Sequence, residues 1–506
     1  MAVKQHLENF DPIFGGLGDA PKFLHPAELD LLLRRSQATD NKQAAHVVNF
    51  TLQQMAHGGL YDQLGGGFCR YSVDERWDIP HFEKMLYDNA QLVRVYLHLF
   101  QITKDEFFKR ITVETLEYIK REMLHEKGGF FSAQDADSEG VEGKFFVWTP
   151  NEIEELLGAG DAQIFNFYYD VSEDGNFEEK NILNIKNSLT ETEEVFKISL
   201  EKLQEILEQG REKLFNEREK RIKPFRDEKV LTAWNGLMLA AFADAARVLD
   251  DDNYLEIAKR NAEFICTNLM TGDSALTSCG PLQNPGRLLR TWKDGKAKLN
   301  GYVEDYANVA DALVELYQAT GEIDYIVEAK RLADAMITEF WDDESGGFFF
   351  TSNDHEELIV RNKDFYDNAT PSGNSVAADV LLKLAKFTGD ERSERFAIAT
   401  LRLAASQISR HPQGFGRALS ALEFHLGETK EVVVVGEKGN ELEREIHGKY
   451  LPDAIVIMSS EPESHSKMIP LLKDRGIIDG KATAYVCENF VCQRPVTSID
   501  DLRLQV

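Results

Sequence analysis

Cysteine is scarce in this sequence: five in 506 residues, with no short pairing of the metal-ligand kind. That excludes a disulfide-stapled secreted scaffold and a zinc ribbon, and reads as free thiols in a reducing compartment. Cys487 and Cys492 come nearest to a pair, but a five-residue offset specifies neither a bridge nor a metal. Positive charge is short as well, since 57 Lys and Arg face 86 Asp and Glu for a net charge of −29. Nucleic acid and anionic membrane surfaces both need a local cation excess, so they are excluded as partners, and a neutral or cationic ligand suits the chain better. No apolar run approaches the roughly 18 residues that span a bilayer. Met1 to Phe10 lacks the layout of a signal peptide, which places the sequence in the cytoplasm. Also missing are a P-loop, a dinucleotide glycine fingerprint and an H-E-x-x-H zinc site. Gly65-Gly66-Gly67 lacks the strand-to-helix context of a phosphate loop, and neither cofactor nor metal is expected.

What is present is a large apolar complement, 43% hydrophobic and 10% aromatic, enough for one large core or two to three ordinary ones. Glycine turns followed by an apolar residue recur: Gly15-Gly16-Leu17, Gly58-Gly59-Leu60, Gly128-Gly129-Phe130, Gly346-Gly347-Phe348 and the looser Gly414-Phe415-Gly416. Their spacing sets a period of about 70 residues, with a degenerate copy at Thr271-Gly272-Asp273. Pairs of helical patterns lie between the turns. The first of each pair is apolar almost all round, as in Leu237 to Ala246, and the second is amphipathic, as in Tyr254 to Arg260. Apolar helices are buried and amphipathic ones face solvent, so the pattern predicts an inner and an outer ring. Six pairs are counted, at 26–35 with 44–56, 83–100 with 107–124, an irregular third at 151–215, 234–249 with 254–269, 303–319 with 325–340, and 374–387 with 392–408. The fold class is therefore mainly α: an (α/α)6 barrel over 1–426, with a distorted third repeat and insertion at about 151–229. The runs Glu431 to Gly436, Ala454 to Met458 and Ala482 to Val486 are buried strands and predict a small α/β lobe over 427–506.

This chain order puts every glycine hairpin and every inner-helix start at one end of the barrel. Candidate catalytic residues there are His81, Glu83, Asp88, Asp135 and Asp137. An imidazole beside carboxylates is a competent acid or base at neutral pH. Candidate substrate contacts are Tyr61, Arg70, Tyr71, Asn89, Trp148, Trp234, Asn235, Glu304, Asp305, Tyr306, Ser372 and Asn374. Planar acids and amides hydrogen-bond hydroxyl pairs and aromatic faces stack on sugar C–H surfaces, so the expected ligand is a sugar or sugar derivative. Plainer roles stand beside these: capping for Ser372, Asn374, Asp305 and Asn89, and for Asp135, Asp137 and Glu139 a solvated turn or a calcium-type loop. His81 is the one histidine placed on the rim; the others, His98 among them, are assigned to helices, outer turns or the tail.

The segments Phe10-Asp11-Pro12 through Ala20-Pro21-Lys22-Phe23, Pro80-His81-Phe82-Glu83-Lys84-Met85-Leu86-Tyr87-Asp88-Asn89, Gln134-Asp135-Ala136-Asp137-Ser138, Trp234-Asn235-Gly236, Glu304-Asp305-Tyr306-Ala307, Ala369 to Ser375 and Cys487 to Cys492 together resemble the thioredoxin-domain-containing family that includes the spermatogenesis-associated protein. The resemblance runs over nearly the whole chain. It implies a six-hairpin (α/α) toroid like that of N-acylglucosamine 2-epimerases and cellobiose epimerases. It also implies a thioredoxin-like domain, in the same chain or as a partner, which this sequence does not contain. Sugar epimerase or isomerase chemistry is the leading expectation; glycoside hydrolysis by paired carboxylates and a non-catalytic binding barrel are the alternatives.

Overall fold

The computed structural model describes residues 2–276, 286–355, 360–488 and 491–506. After a short helix α1 (Ala2–Glu8), the chain forms the hairpin of α2 (Pro26–Ala38) and α3 (Lys42–His57), then that of α4 (Leu86–Thr103) and α5 (Glu106–Tyr118). An excursion follows with α6 (Pro150–Leu157), α7 (Ala159–Tyr168), α8 (Leu189–Phe196) and α9 (Leu200–Arg218). Three more hairpins come next: α10 (Thr232–Leu249) with α11 (Asp252–Asn268), α12 (Val303–Thr320) with α13 (Ile323–Phe340), and α14 (Gly373–Thr388) with α15 (Glu391–Arg410). Helix α16 (Gly416–Leu426) ends the series. The inner ring runs α2, α4, α10, α12, α14, α16 and back to α2, each packed on the next. The predicted (α/α)6 barrel is the observed fold.

Two members of the ring differ from the sequence reading. The irregular stretch at 151–215 is not a ring pair, because α4 packs directly against α10. Its long helix α9 is charged on most faces and buries one stripe, Leu203, Ile206, Leu207 and Leu214, which packs with Trp148, Ile153, Phe165 and Tyr169 in a satellite core of its own. A helix with one apolar stripe cannot serve as an inner helix, which needs cover on every side. The sixth inner helix is instead α16. α1, from the other end of the chain, packs on α2, α3 and the turn Pro412–Gly414 that leads into α16.

The hairpins repeat the same local chemistry. Four of the inner helices end at a left-handed residue, Lys104, Asp250, Gly321 or Gly389. In three of these the next residue, Asp105, Asp251 or Asp390, accepts N–H groups of the following outer helix. At the opposite end three glycine turns share one buckle. Asp11, Asp62 and Asp342 cap their own turns, and each carboxylate also takes the ammonium of a distant lysine, Lys22, Lys84 or Lys363. Those lysines donate as well to the carbonyls of Gly15, Gly66 and Gly346. At Gly66 and Gly346 the backbone φ is +75° and +77°, a region glycine enters without a Cβ penalty.

The lobe closes the far end of the barrel. Strand Lys430–Val435 lies between Ala454–Ser459, parallel, and Thr483–Glu488, antiparallel, with Val491–Cys492 at the edge. Val433, Val435, Ile455 and Ile457 join the main barrel core. Their neighbours Val432, Val434, Val456 and Met458 form a second core with Leu442 and Ile446 of α17 (Glu441–His447). The alternation of a strand thus serves two cores at once. Cys487 and Cys492 face each other across the last strand pair and form a disulfide, which corrects the reading of these two as free thiols: antiparallel register, not sequence offset, brings them together. Among the described residues Cys69 and Cys266 are free and buried. No helix of the described residues is long and apolar enough to cross a membrane.

Candidate functional site

The end of the barrel opposite the lobe carries a cluster built around the start of α4. Tyr71 pairs with His81 across a short antiparallel bridge and stacks on its ring at 5.1 Å. His81 Nδ1 lies 2.7 Å from Glu142 Oε1, and Nε2 lies 3.3 Å from Glu83 Oε2. The imidazole can donate to both carboxylates only when it carries both ring protons. Glu83 also takes the Arg70 guanidinium at 2.8 Å. Beside this chain sits Asp88, in the first turn of α4 and 3% exposed. Its Oδ2 is buried with no hydrogen-bond partner. Burial lifts the Asp88 carboxyl well above the usual carboxylate range; Arg70 opposes the shift and Glu83 adds to it. Asp88 is therefore a buried carboxyl whose protonated form is favoured by burial, next to an exposed arginine and a histidine–carboxylate chain.

The cluster continues around the rim. Tyr87, whose phenol burial pushes up to about 12, meets Trp234 edge to face at 4.7 Å. Asp305 Oδ1 accepts the N–H of Ala233 at 2.8 Å, and Oδ2 accepts that of Tyr302. Arg290 binds Glu304 at 2.5 Å and Asp305 at 3.1 Å and lies over the Tyr302 ring. Burial pushes Asp305 up to about 6, against the pull of Arg290. Across the mouth, Asp367 accepts the backbone N–H groups of Ser372 and Arg417 and burial pushes it, too, up to about 6. From α4, Gln91 donates to the carbonyl of Ala369 at 2.8 Å, so the segment 364–372 reaches over the centre of the barrel to the opposite side of the ring.

The raised acids have a measurable consequence. A group whose folded pKa is raised binds protons more tightly in the native state, so its contribution is fully present below the unfolded value and is lost as pH rises through the folded one. For Asp367 that window runs from 3.8 to about 6, worth about 3 kcal/mol. Urea unfolding at pH 4 and pH 7 should show a smaller drop in stability for Asp367→Asn than for the wild type.

Beneath the segment 364–372 the barrel is filled with charge. A cavity of about 60 Å³ lined by Gln91, Pro371, Asp30, Arg94, His98 and Arg417 leads inward. Below it Asp244 takes Arg94 and Arg247, each at 2.5 Å. Asp311 takes Lys383 and Arg417, and Asp379 takes Arg417. Glu315 joins Arg94, Arg247 and Lys383. His98 lies between Asp30 at 3.3 Å and Asp244 at 3.7 Å. As assigned from the sequence, His98 lies in a helix and off the rim; it lines the lumen one helical turn below Arg94. The signal was a stripe of polar residues at three- and four-residue spacing, Gln91, Arg94, His98 and Gln101, on an otherwise apolar helix.

Of the residues singled out from sequence, the structure brings together His81, Glu83, Asp88, Arg70 and Tyr71, with Trp234, Glu304 and Asp305 further along the rim. Others serve the scaffold. Asn89, Asn235 and Asn374 each clamp the aromatic residue of a glycine hairpin, accepting the N–H and donating to the carbonyl of Phe68, Phe130 and Phe348. Their amides are consumed by backbone, which removes them from substrate contact. Tyr61 is buried, with its hydroxyl on Glu114. The Tyr306 hydroxyl accepts the N–H of Leu288. Ser372 caps α14. Trp148 is fully buried in the satellite core beneath the guanidinium of Arg221. Asp135 and Asp137 lie exposed, Asp137 at the start of the short strand Asp137–Ser138 with its N–H held by Asp135. Among the described residues no group of three or more His, Cys, Asp or Glu side chains is arranged to hold a metal ion.

No family model matches the sequence. Human spermatogenesis-associated protein 20 is 34% identical over 540 residues, covering 98% of this chain and 67% of the human protein. An uncharacterised Caenorhabditis elegans protein is 31% identical, covering 98% of this chain and 71% of its own. Among solved structures, a sugar epimerase from a ruminal bacterium aligns at 14% identity and a TM-score of 0.32, over 74% of this chain and 90% of its own. A GH76 α-mannanase from Bacteroides thetaiotaomicron aligns at 9% identity and a TM-score of 0.42, over 85% of this chain and 84% of its own. On the strength of the human relative, which matches 98% of this chain over two-thirds of its own length, the chain belongs to the spermatogenesis-associated protein 20 family.

Proposed function

We propose that the chain is a carbohydrate-active enzyme that binds a sugar or sugar derivative at the barrel mouth and moves protons on it, as an epimerase or isomerase does. The observation that carries this reading is the buried Asp88 carboxyl, with one oxygen free of any partner, beside Arg70 and the Glu83–His81–Glu142 chain. In the proposed reaction Asp88 delivers its proton to a sugar carbonyl oxygen. The Glu83–His81 pair accepts the proton from the adjacent carbon, and Glu142 holds the imidazole in place. Arg70 steadies the negative charge that develops on the enolate oxygen. Tyr71, Tyr87 and Trp234 supply aromatic faces for the C–H surface of the ring. Hydrolysis draws less support: Asp135 and Asp137, its candidate partners for Asp88, are both exposed, unlike the buried acid that holds a proton for a leaving group.

The test is a thermal-shift screen against neutral mono- and disaccharides, amino sugars and uronates, with each stabilising sugar incubated and its products separated by chromatography. A ligand at a hundred times its dissociation constant raises stability by about 2.7 kcal/mol. The proposal predicts a stabilising sugar that wild type converts and His81→Ala does not. Stabilisation without conversion would identify a binding barrel instead.

A further inference from the structure

The disulfide on the lobe joins two unlike sulfurs. Cys487, on the strand Thr483–Glu488, is fully buried. Its cross-strand partner Cys492 is exposed, on the outermost strand of the sheet. As a staple the bridge has little to hold. It spans five positions of sequence across two strands that the ladder already pairs, and the loop entropy removed by a crosslink is least for short loops.

The groups around the two sulfurs differ as well. Arg475 directs its Nη2 at Cys492 Sγ, 2.6 Å away. Its Nη1 is buried and, among the described residues, has no hydrogen-bond partner. The guanidinium lies over the Tyr485 ring at 5.4 Å. Burial is the largest influence on it, offset by Tyr485 and Glu431. A disulfide sulfur is a weak acceptor and a thiolate a strong one, so this cation binds the reduced form of Cys492 more tightly than the bridged form. Cys487 has a carboxylate beside it instead. Glu431 stands opposite in the next strand, fully buried, with Lys386 of α14 at 3.4 Å. A carboxylate there disfavours a second negative charge, which keeps Cys487 a thiol.

We propose that Cys487 and Cys492 form a thiol–disulfide exchange site that takes two electrons from a dithiol, with Cys492 as the sulfur attacked and Arg475 as the cation that receives its thiolate. One thiolate of the dithiol attacks the exposed Cys492 Sγ. The bridge breaks, and Cys487 leaves with the electron pair and takes a proton from water. The second thiolate of the dithiol then attacks the dithiol's own sulfur in the mixed disulfide, and Cys492 leaves as a thiolate against Arg475. The dithiol ends as a disulfide; of its two protons, one is replaced on Cys487 and one stays in water. The site lies on the lobe and does not depend on the chemistry proposed at the mouth.

The test uses dithiothreitol on the folded full chain. Reduced and oxidised reagent are mixed over a range of ratios, the reaction is quenched in acid, and the thiols are alkylated after unfolding. Mass spectrometry then reads the fraction with Cys487 and Cys492 both labelled, while circular dichroism before the quench reports the fold. The expected result is reversible opening and closing of the bridge with an unchanged spectrum. In Cys487→Ser, the alkylation rate of Cys492 against pH should show half-ionisation below the ordinary thiol value of about 8.5. Arg475→Gln should raise that midpoint by about one pH unit and lower the equilibrium constant for reduction by roughly three- to tenfold at pH 7.5; Arg475→Lys, which keeps the charge, should restore most of both. A bridge that opens only when the chain unfolds, or one that oxidised dithiothreitol does not close again, would overturn the proposal. So would a Cys492 midpoint at or above the ordinary value, a result that needs no change at Arg475.

Discussion

Asp244→Ala is expected to destabilise the protein by about 3–5 kcal/mol, the cost of leaving a buried charge without its partner. Asp244 is fully buried on α10 and holds two guanidinium groups, Arg94 from α4 and Arg247 from its own helix. Burial by itself would lift its pKa, but the two arginines outweigh this and keep it well below the carboxylate range. Removing the carboxylate leaves two cations facing each other in the lumen, with Glu315 as their remaining shared acid. Urea unfolding checks the magnitude. A loss below about 1 kcal/mol would mean that water, rather than the network, satisfies the arginines. The same measurement in acid has a defined sign: Asp244 is a lowered acid, so its contribution is present above the unfolded pKa and fades as pH falls below it.

Asp88→Asn should lower turnover by about 10²- to 10⁴-fold, the range that a positioned acid supplies, with no loss of thermal stability. The amide keeps the shape of the carboxylic acid and removes its proton. Both side chains are uncharged and of the same shape in the proposed state, so the variant should melt close to wild type. Wild-type activity should decline as pH rises through the raised Asp88 carboxyl, above the usual carboxylate range, and the variant should lack that decline. An equal loss of stability and activity would instead identify Asp88 as a structural group.

The ring was legible because inner and outer helices differ in pattern: α12 is buried on all faces from Asp305 to Thr320, whereas α15 buries one stripe. The sixth position was not, since its two helices stand at opposite ends of the chain, and no local pattern joins Ala2 to Gly416. Local motif strength also misdirected the site reading. Trp234-Asn235 and Ser372-Gly373-Asn374 are prominent because they build the rim, with Asn235 and Asn374 fastening hairpins, and only tertiary geometry separates that duty from ligand contact. The lumen network was hidden for the opposite reason. Arg94, Asp244, Asp311 and Lys383 are single charges scattered among apolar residues on four helices, and they form a cluster only when the barrel closes.

The proposed reaction requires that Asp88, whose carboxyl burial raises above the usual range, hold its proton where the enzyme works. Infrared difference spectroscopy between wild type and Asp88→Asn at pH 7.5, well above the values of about 6 for Asp305 and Asp367, reads that proton without knowledge of the substrate. The account predicts a protonated-carboxyl C=O band in wild type that disappears in the variant. Its absence from wild type, with a carboxylate band lost in the variant instead, would show Asp88 ionised and contradict its role as the acid.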